Sequence, residues 1–335
     1  MTRFFNEKEI KEGAAIIKNG GTVAFRTETV YGLGADATNA EAVTKIFLAK
    51  GRPATNPLIV HFASLKHLVE FFPDIDPVSL SVLRKIKRAI TVILPRPDTI
   101  AEVVSAGYKT VAVRVPACSF TRRFIKACGV PLAAPSANLS GRPSPTRAVD
   151  VSADIANRID AVFMGADAEI GVESTVVRCE TKNAECKIKV LRLGGVSTEM
   201  LAQKMRLPVE IAGASEDAAS PGRAFQHYMP RCPMYVALSS SNCPFSKAPV
   251  FVRINTFARE KNAAVLCLSK SEPLYVATKI FPLGNNGAQV TKNLFTAMRK
   301  AEKDADVIIC EQFPPTPEFD AANERIMRAS DGKVL

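Results

Sequence analysis

With 335 residues, 47% of them hydrophobic, the chain has room for about two domains with ordinary packed cores, and it reads as a soluble globular protein. Its 44 Lys and Arg against 33 Asp and Glu give a net charge of +11, a field that favours nucleotides, nucleic acid or acidic surfaces without choosing among them. Eight cysteines without a Cys-x-x-Cys pair speak against a disulfide framework or zinc site, and no apolar run is long enough to span a bilayer, so a cytoplasmic protein with reduced thiols is expected.

The chain opens on an Asn6-x-x-Glu9 capping signature, then Ile10, Ala14 and Ile17 on one helical face, then a Gly20-Gly21 stop. Residues 22–25 predict a short strand, Arg26-Thr27-Glu28-Thr29 breaks it, and Tyr31-Gly32-Leu33-Gly34 reads as a flexible loop. Asn39 caps an expected helix with Ala42, Val43, Ile46 and Phe47 on one face. It ends at Lys50-Gly51-Arg52-Pro53, since Gly favours the C-terminal position and Pro cannot continue a helix. Asn56-Pro57-Leu58-Ile59-Val60-His61 then enters a buried strand. Two readings of Lys50 and Arg52 stay open: they complement the helix dipole, or they meet an anionic ligand beside the hydroxyl-rich turn.

Ser64 is expected to cap a helix reaching Phe72, and Leu80, Leu83 and Ile86 mark another before a strand over 90–94. A strand over 111–115 carries Arg114 among apolar neighbours, where a guanidinium needs an anionic partner. A basic amphipathic helix (120–128), a small-residue strand (130–134), a helix (146–155) and strands over 161–164, 174–178 and 187–191 follow. Residues 207–233, rich in Ala, Ser, Gly and Pro, read as a linker. Beyond it, strands over 234–238, 264–268 and 306–310 alternate with helices over 249–261, 289–304 and 320–329. The expected domains are therefore 1–206 and 234–335, joined by 207–233. Irregular spacing in the first argues for a mixed twisted sheet with flanking helices, and the second for a small α/β domain.

Gly32-x-Gly34-x-x-Ala37 is not a dinucleotide fingerprint, because no helix starts at these glycines and the preceding strand is distant. Walker A, His-Glu-x-x-His and Gly-x-Ser-x-Gly patterns are absent. Pro135-Ser136-Ala137-Asn138-Leu139-Ser140-Gly141 has a composition able to hold phosphate oxygens or a ribose, and equally that of an ordinary turn.

Five motifs occur in a fixed order: the TETVYGLG run, Lys50-Gly51-Arg52-Pro53 with Asn56-Pro57-Leu58, the Pro135 to Gly141 run, Ser174-Thr175-Val176-Val177 and Arg192-Leu193-Gly194. Together they resemble the YrdC-like L-threonylcarbamoyladenylate synthases over the first two thirds of the chain. The remainder is similar to the extra C-terminal domain of that family's longer form, although Pro314 to Asp320 stands where a Gly-rich segment is usual, and Arg178-Cys179 where an acidic residue is common.

The resemblance implies an α/β (mixed α+β) fold, with a YrdC-like twisted mixed sheet, flanking helices and a smaller Rossmann-like C-terminal domain. It implies conversion of L-threonine, bicarbonate or CO2, and ATP to threonylcarbamoyl-AMP and pyrophosphate, which supplies threonylcarbamoyl modification of adenosine beside the tRNA anticodon. Thr29, His61, Arg114 and Ser174 would surround L-threonine. Lys50, Arg52, Asn56, Thr110, Ser136, Asn138, Ser144 and Arg192 would surround ATP, with Lys50 and Arg52 catalytic and Mg2+ arriving on the phosphates. Pro221-Gly222, His227 and Tyr228 would form a lid. tRNA or downstream tRNA-modification proteins are the implied partners, and no membrane is. The reading from another class, motivated by the +11 charge, is an RNA-binding module without synthase activity.

Overall fold

Short apolar runs broken by polar turns fold into a broad sheet and a smaller one. The structure, a computed structural model, describes residues 1–182, 185–213, 227–239, 249–277 and 279–335. Two compact units result. One comprises residues 1–140, 145–169 and the described residues from 173 to 213; the other comprises 141–144, 170–172 and the described residues from 227 onward.

The first unit contains β1 (Arg3–Asn6), β2 (Val23–Phe25), β3 (Gly32–Asp36), β4 (Ile59–His61), β5 (Ile90–Pro95), β6 (Thr110–Arg114), β7 (Leu132–Ala133), β8 (Ala161–Met164), β9 (Thr175–Lys182), β10 (Glu185–Arg192) and β11 (Val209–Ile211). They form one sheet in the order β1-β8-β2-β3-β7-β4-β6-β5-β9-β10-β11. Parallel pairs such as β4–β6 and β5–β9 are interleaved with antiparallel ones such as β3–β7 and β5–β6, so the sheet is mixed as expected. Phe5, Phe25, Phe124 and Phe163 fill the core between the sheet and helices Ile10–Lys18 and Ser119–Cys128.

Helix Ala40–Lys50 begins and ends where its sequence predicts. The Asn39 side chain accepts from the Ala42 N–H at 3.0 Å, and Gly51 ends the helix in the left-handed region at φ 60°. Ser64 likewise caps Leu65–Phe71. The edge strands β1 and β11 were not expected; β11 lies within the stretch read as linker and is mostly exposed.

The Tyr31 to Gly34 run is not a flexible loop. Gly32 and Gly34 belong to buried β3, between β2 and β7, and Tyr31 is fully buried. A Cβ on Gly34 would lie 2.5 Å from the Phe25 ring, so the glycine serves close packing rather than mobility.

In the second unit β12 (Met234–Ala237), β13 (Ala263–Cys267), β14 (Lys279–Pro282) and β15 (Val307–Glu311) form an all-parallel sheet in the order β12-β15-β13-β14. Helix Val250–Glu260 packs on one face and helices Gly287–Asp304 and Asp320–Ala329 on the other, the Rossmann-like arrangement expected. Among the described residues no helix is long and apolar enough to cross a membrane.

Candidate active site

The hydroxyl-rich turn after β2 is closed by its own side chains. Thr27 Oγ1 donates to Val30 O at 2.7 Å and lies 2.8 Å from Thr29 Oγ1. Thr27 having spent its proton, Thr29 donates to Thr27 and in turn accepts from Arg114 Nη1 at 3.1 Å. A chain of hydrogen bonds thus runs from a guanidinium on β6 into the turn.

Arg114 has found the anion its strand required. Its Nη2 donates to Glu28 Oε1, and the two side chains are 4% and 1% exposed. Burial pushes the Glu28 carboxyl upward, but the Arg114 charge and the backbone N–H groups of Ala89 and Ala117 outweigh it and hold the group below the ordinary carboxylate range. Glu28 Oε1 also accepts from Ala89 N at 3.2 Å, while Ala89 O accepts from Thr175 N at 2.9 Å. Ala89 adopts φ 52°, a left-handed conformation that costs a non-glycine residue about 1 kcal/mol or more. The strain is spent where one residue, through its N–H and its C=O, ties the turn to the start of β9.

His61 and Arg114 are register partners on β4 and β6. Burial and the neighbouring Arg114 charge lower the His61 pKa to about 3, so the ring is neutral at physiological pH. Its Nδ1 lies 3.1 Å from Ile59 O, a distance at which a protonated Nδ1 donates to that carbonyl.

At the neighbouring strand ends, Ser174 Oγ lies 2.7 Å from Thr91 Oγ1, and Arg192 Nη2 donates to Ser174 O at 2.8 Å and Oγ at 3.2 Å. The β9–β10 register shifts between Val190 and Arg192, a bulge that re-aims the arginine. Gly194 permits this approach, because a Cβ there would lie 2.4 Å from Glu173 O.

Lys50 is buried, and its ammonium donates to Ser136 O and Asn138 O, each at 2.5 Å. Ser140 N returns a bond to Lys50 O at 2.9 Å, and the loop is clipped to β3 through Leu33 N to Pro135 O and Ala137 N to Tyr31 O. Lys50 therefore meets backbone carbonyls, a role neither sequence reading anticipated. Arg52 braces the next turn: Nη2 donates to Asn56 Oδ1 at 2.6 Å and to Pro57 O at 2.9 Å.

The expected residues are thus brought together in groups: Thr29 with Arg114 and His61, Ser174 with Arg192, Lys50 with Ser136 and Asn138, and Arg52 with Asn56. Thr110 is at the opposite end of β6 from Arg114, four residues or roughly 13 Å along the strand. Ser144, His227 and Tyr228 belong to the second unit. There Tyr228 is a core side chain, stacked on Phe295 at 5.2 Å with the Arg325 guanidinium 4.9 Å over its ring. Pro221 and Gly222 lie outside the described residues.

Two participants escaped the sequence reading. Glu28 stands between the threonines already singled out, but its partner is 86 positions away. Thr91 carried a fainter signal, a hydroxyl inside the apolar run 90–94. Cys179 and Cys128 are disfavoured as nucleophiles, since burial raises their pKa values to about 11 and about 12.

The arrangement combines two buried guanidiniums, a neutral imidazole, oriented hydroxyls and a backbone-lined loop, a donor-rich set suited to an amino acid and a polyphosphate. Comparison with known proteins agrees. The Sua5/YciO/YrdC profile, described as "Telomere recombination", matches residues 15–194, and the "Threonylcarbamoyl-AMP synthase, C-terminal domain" profile matches 196–331. Threonylcarbamoyl-AMP synthase of Bacillus subtilis is 35% identical, with 98% of this chain and 95% of that protein covered. The Pyrococcus abyssi enzyme of that name is 35% identical over 98% of this chain and 96% of its own. A crystal structure of P. abyssi Sua5 complexed with L-threonine superposes with a TM-score of 0.88 at 33% identity, covering 100% of this chain and 99% of that one. Sequence, structural superposition and both domain profiles agree, and the chain belongs to the two-domain form of the YrdC-like threonylcarbamoyl-AMP synthase family.

Proposed function

We propose that this protein condenses L-threonine, CO2 and ATP into threonylcarbamoyl-AMP and pyrophosphate, with bicarbonate as the source of CO2. The threonine amine adds to the carbon of CO2 and loses a proton, giving a carbamate. A carbamate oxygen then attacks the α-phosphorus of ATP; the bond to the bridging oxygen breaks, and pyrophosphate leaves with the electron pair. No covalent enzyme nucleophile is needed, so catalysis rests on alignment and charge neutralisation.

The observation that carries this reading is the bonded set of Arg114, Thr29 and Glu28, because a buried guanidinium with a fixed orientation suits an amino-acid carboxylate. Thr29 and Ser174 supply hydroxyls for the substrate, and His61 a neutral ring. Lys50 acts by holding the Ser136 to Ser140 backbone against the phosphates, with Arg52, Asn56, Thr110 and Arg192 as further nucleotide contacts. Mg2+ would arrive with ATP and offset the charge of its phosphates. The described residues present no group of three His, Cys, Asp or Glu to cage the ion themselves, and their hydroxyl and amide donors suit phosphate better than metal. The product is labile, so a separate enzyme acting on tRNA must take it up promptly, and the reduced thiols and ATP suit the cytoplasm.

The test is pyrophosphate release without tRNA, offered L-threonine, L-serine or L-valine. Release should depend on threonine. Serine should be slower by the value of one methyl, about 1–3 kcal/mol or 10–200-fold, and valine slower still through the missing hydroxyl. Equal rates with all three, or no amino-acid dependence, would overturn the assignment.

A further inference from the structure

The second unit includes two short segments that interrupt the first along the chain, residues 141–144 and 170–172. Each adjoins an element of the active site: Gly141 directly follows the Ser136–Ser140 backbone held by Lys50, and Val172 lies two residues before Ser174. Helix Gly287–Asp304 grips both. Toward its start, Gly171 at φ 86° comes so near that a Cβ would lie 2.3 Å from Thr291 O, and Val172 joins the core around Phe295. Toward its end, Arg299 Nη2 donates to Pro143 O, and Glu302 takes Arg142 in a two-point ion pair, Nη1 to Oε2 at 2.9 Å and Nη2 to Oε1. Thr291, Phe295, Arg299 and Glu302 follow one another at intervals of four, four and three, so one face of the helix, over roughly 16 Å, meets both segments.

The hold on residues 141–144 is directional. Glu302 stands in the last turn of its helix, where the dipole disfavours an anion, and the Glu302 and Arg142 side chains are 6% and 14% exposed. An ion pair so buried contributes little net stability beside apolar groups of the same shape, whereas its fork geometry fixes direction as well as distance. Glu302 Oε2 also accepts from Arg231 N at 2.8 Å, and Gly141 O accepts from Met229 N at 2.8 Å, so backbone and side chain of the segment are both held. Gly141, at φ 86°, lets the chain turn there, and the rings of Pro143 and Pro145 fix their own φ angles. Pro145 O in turn accepts from Tyr31 N at 2.9 Å. The stretch from Gly141 to Pro145 is therefore stiff, and an orientation imposed at Arg142 passes along the chain to Ser140, whose N–H donates to Lys50 O.

We propose that Glu302 and Arg299 are positioning residues: acting through Arg142 and through Pro143 O, they complement Lys50 in setting the Ser136–Ser140 backbone for the nucleotide. Assigning that loop to ATP rests on the proposed function; the clamp itself does not.

The test uses the full chain and a fluorescent, non-hydrolysable ATP analogue, followed by threonine-dependent pyrophosphate release, all well below the melting temperature of each variant. A misplacement of about 1 Å costs about a hundredfold in rate, so Glu302→Gln and Arg142→Met should each weaken analogue binding about tenfold and lower kcat/KM for ATP about 10- to 100-fold, with KM for L-threonine within about twofold of the unaltered value. Arg142→Lys, which keeps the charge but loses the fork, should fall between Arg142→Met and the unaltered protein. Tyr275→Phe is the control. It removes a bond to Glu311 on the opposite face of the smaller sheet, and should lower the melting temperature without changing analogue affinity. The inference is overturned if the unaltered protein does not bind the analogue or if Glu302→Gln and Arg142→Met bind it equally well. It is also overturned if Tyr275→Phe weakens binding as much as they do, since loss of stability would then account for the effect. Analogue binding without threonine-dependent pyrophosphate release in the unaltered protein would sink the synthase reading instead, and the affinities of the variants would still decide the role of the clamp.

Discussion

Glu28 and Arg114, 86 positions apart, share a hydrogen-bonded ion pair whose members are 1% and 4% exposed. A pair so buried is costly to break on one side only, because the remaining charge is left without compensation. Glu28→Ala is expected to lower the unfolding free energy by about 3–5 kcal/mol. The double variant Glu28→Gln with Arg114→Met should recover part of that loss in urea unfolding, yet remain without threonine-dependent pyrophosphate release. Full activity in the double variant would show the pair to be structural alone.

Lys50 and Arg52 should separate in their effects although only two positions divide them. Lys50→Met removes the anchor of the Ser136–Asn138 backbone and leaves two carbonyls without their donor, so turnover and melting temperature should both fall. Arg52→Ala, at a half-buried turn, should reduce turnover by about a hundredfold and stability by about 1 kcal/mol or less. If both serve one triphosphate, the double variant should lose less than the sum. A melting temperature unchanged by Lys50→Met would refute the anchoring role.

The pH dependence of stability isolates His61. Its folded pKa is lowered to about 3 from an ordinary value of 6.5, so between these limits the unfolded chain binds a proton that the folded one refuses. Stability should therefore fall as pH drops through this window, by up to about 1.4 kcal/mol per unit. The Glu28 carboxyl, held below the ordinary range, adds its own loss only at lower pH. Denaturant melts between pH 6.5 and 5 should show a flatter dependence for His61→Asn than for the unaltered chain, the residual slope including a fall from His67, whose pKa burial also lowers, and an opposing gain from Glu311, whose carboxyl burial raises.

Tyr228 distinguishes a core side chain from a lid. Stacked on Phe295 beneath Arg325 in the second unit, it should cost about 3 kcal/mol or more when replaced by Ala. Calorimetry that shows the second unit melting unchanged would restore a purely covering role for this residue.

Local signals in the sequence determined much of this protein. Asn39, Ser64 and Gly51 set helix ends through hydrogen bonds or backbone angles confined to a few neighbouring residues, and such interactions are written in adjacent letters. The mixed character of the larger sheet and the α/β character of the smaller domain also followed from the spacing of apolar runs, whereas the all-parallel pairing of the smaller sheet is seen only in the structure. What the sequence left undecided was every property set by a partner distant along the chain. An arginine in an apolar strand announces that it needs an anion, but only the folded sheet, with β6 near the turn after β2, selects Glu28. A lysine at a helix end looks like a dipole counter-charge until the loop after β7 arrives beside it and presents two carbonyls. The glycines at 32 and 34 look like freedom until Phe25 occupies the space a Cβ would fill. Tertiary structure decided these roles because burial removes water as the default partner, and each polar group must then take whichever group the packing brings within reach.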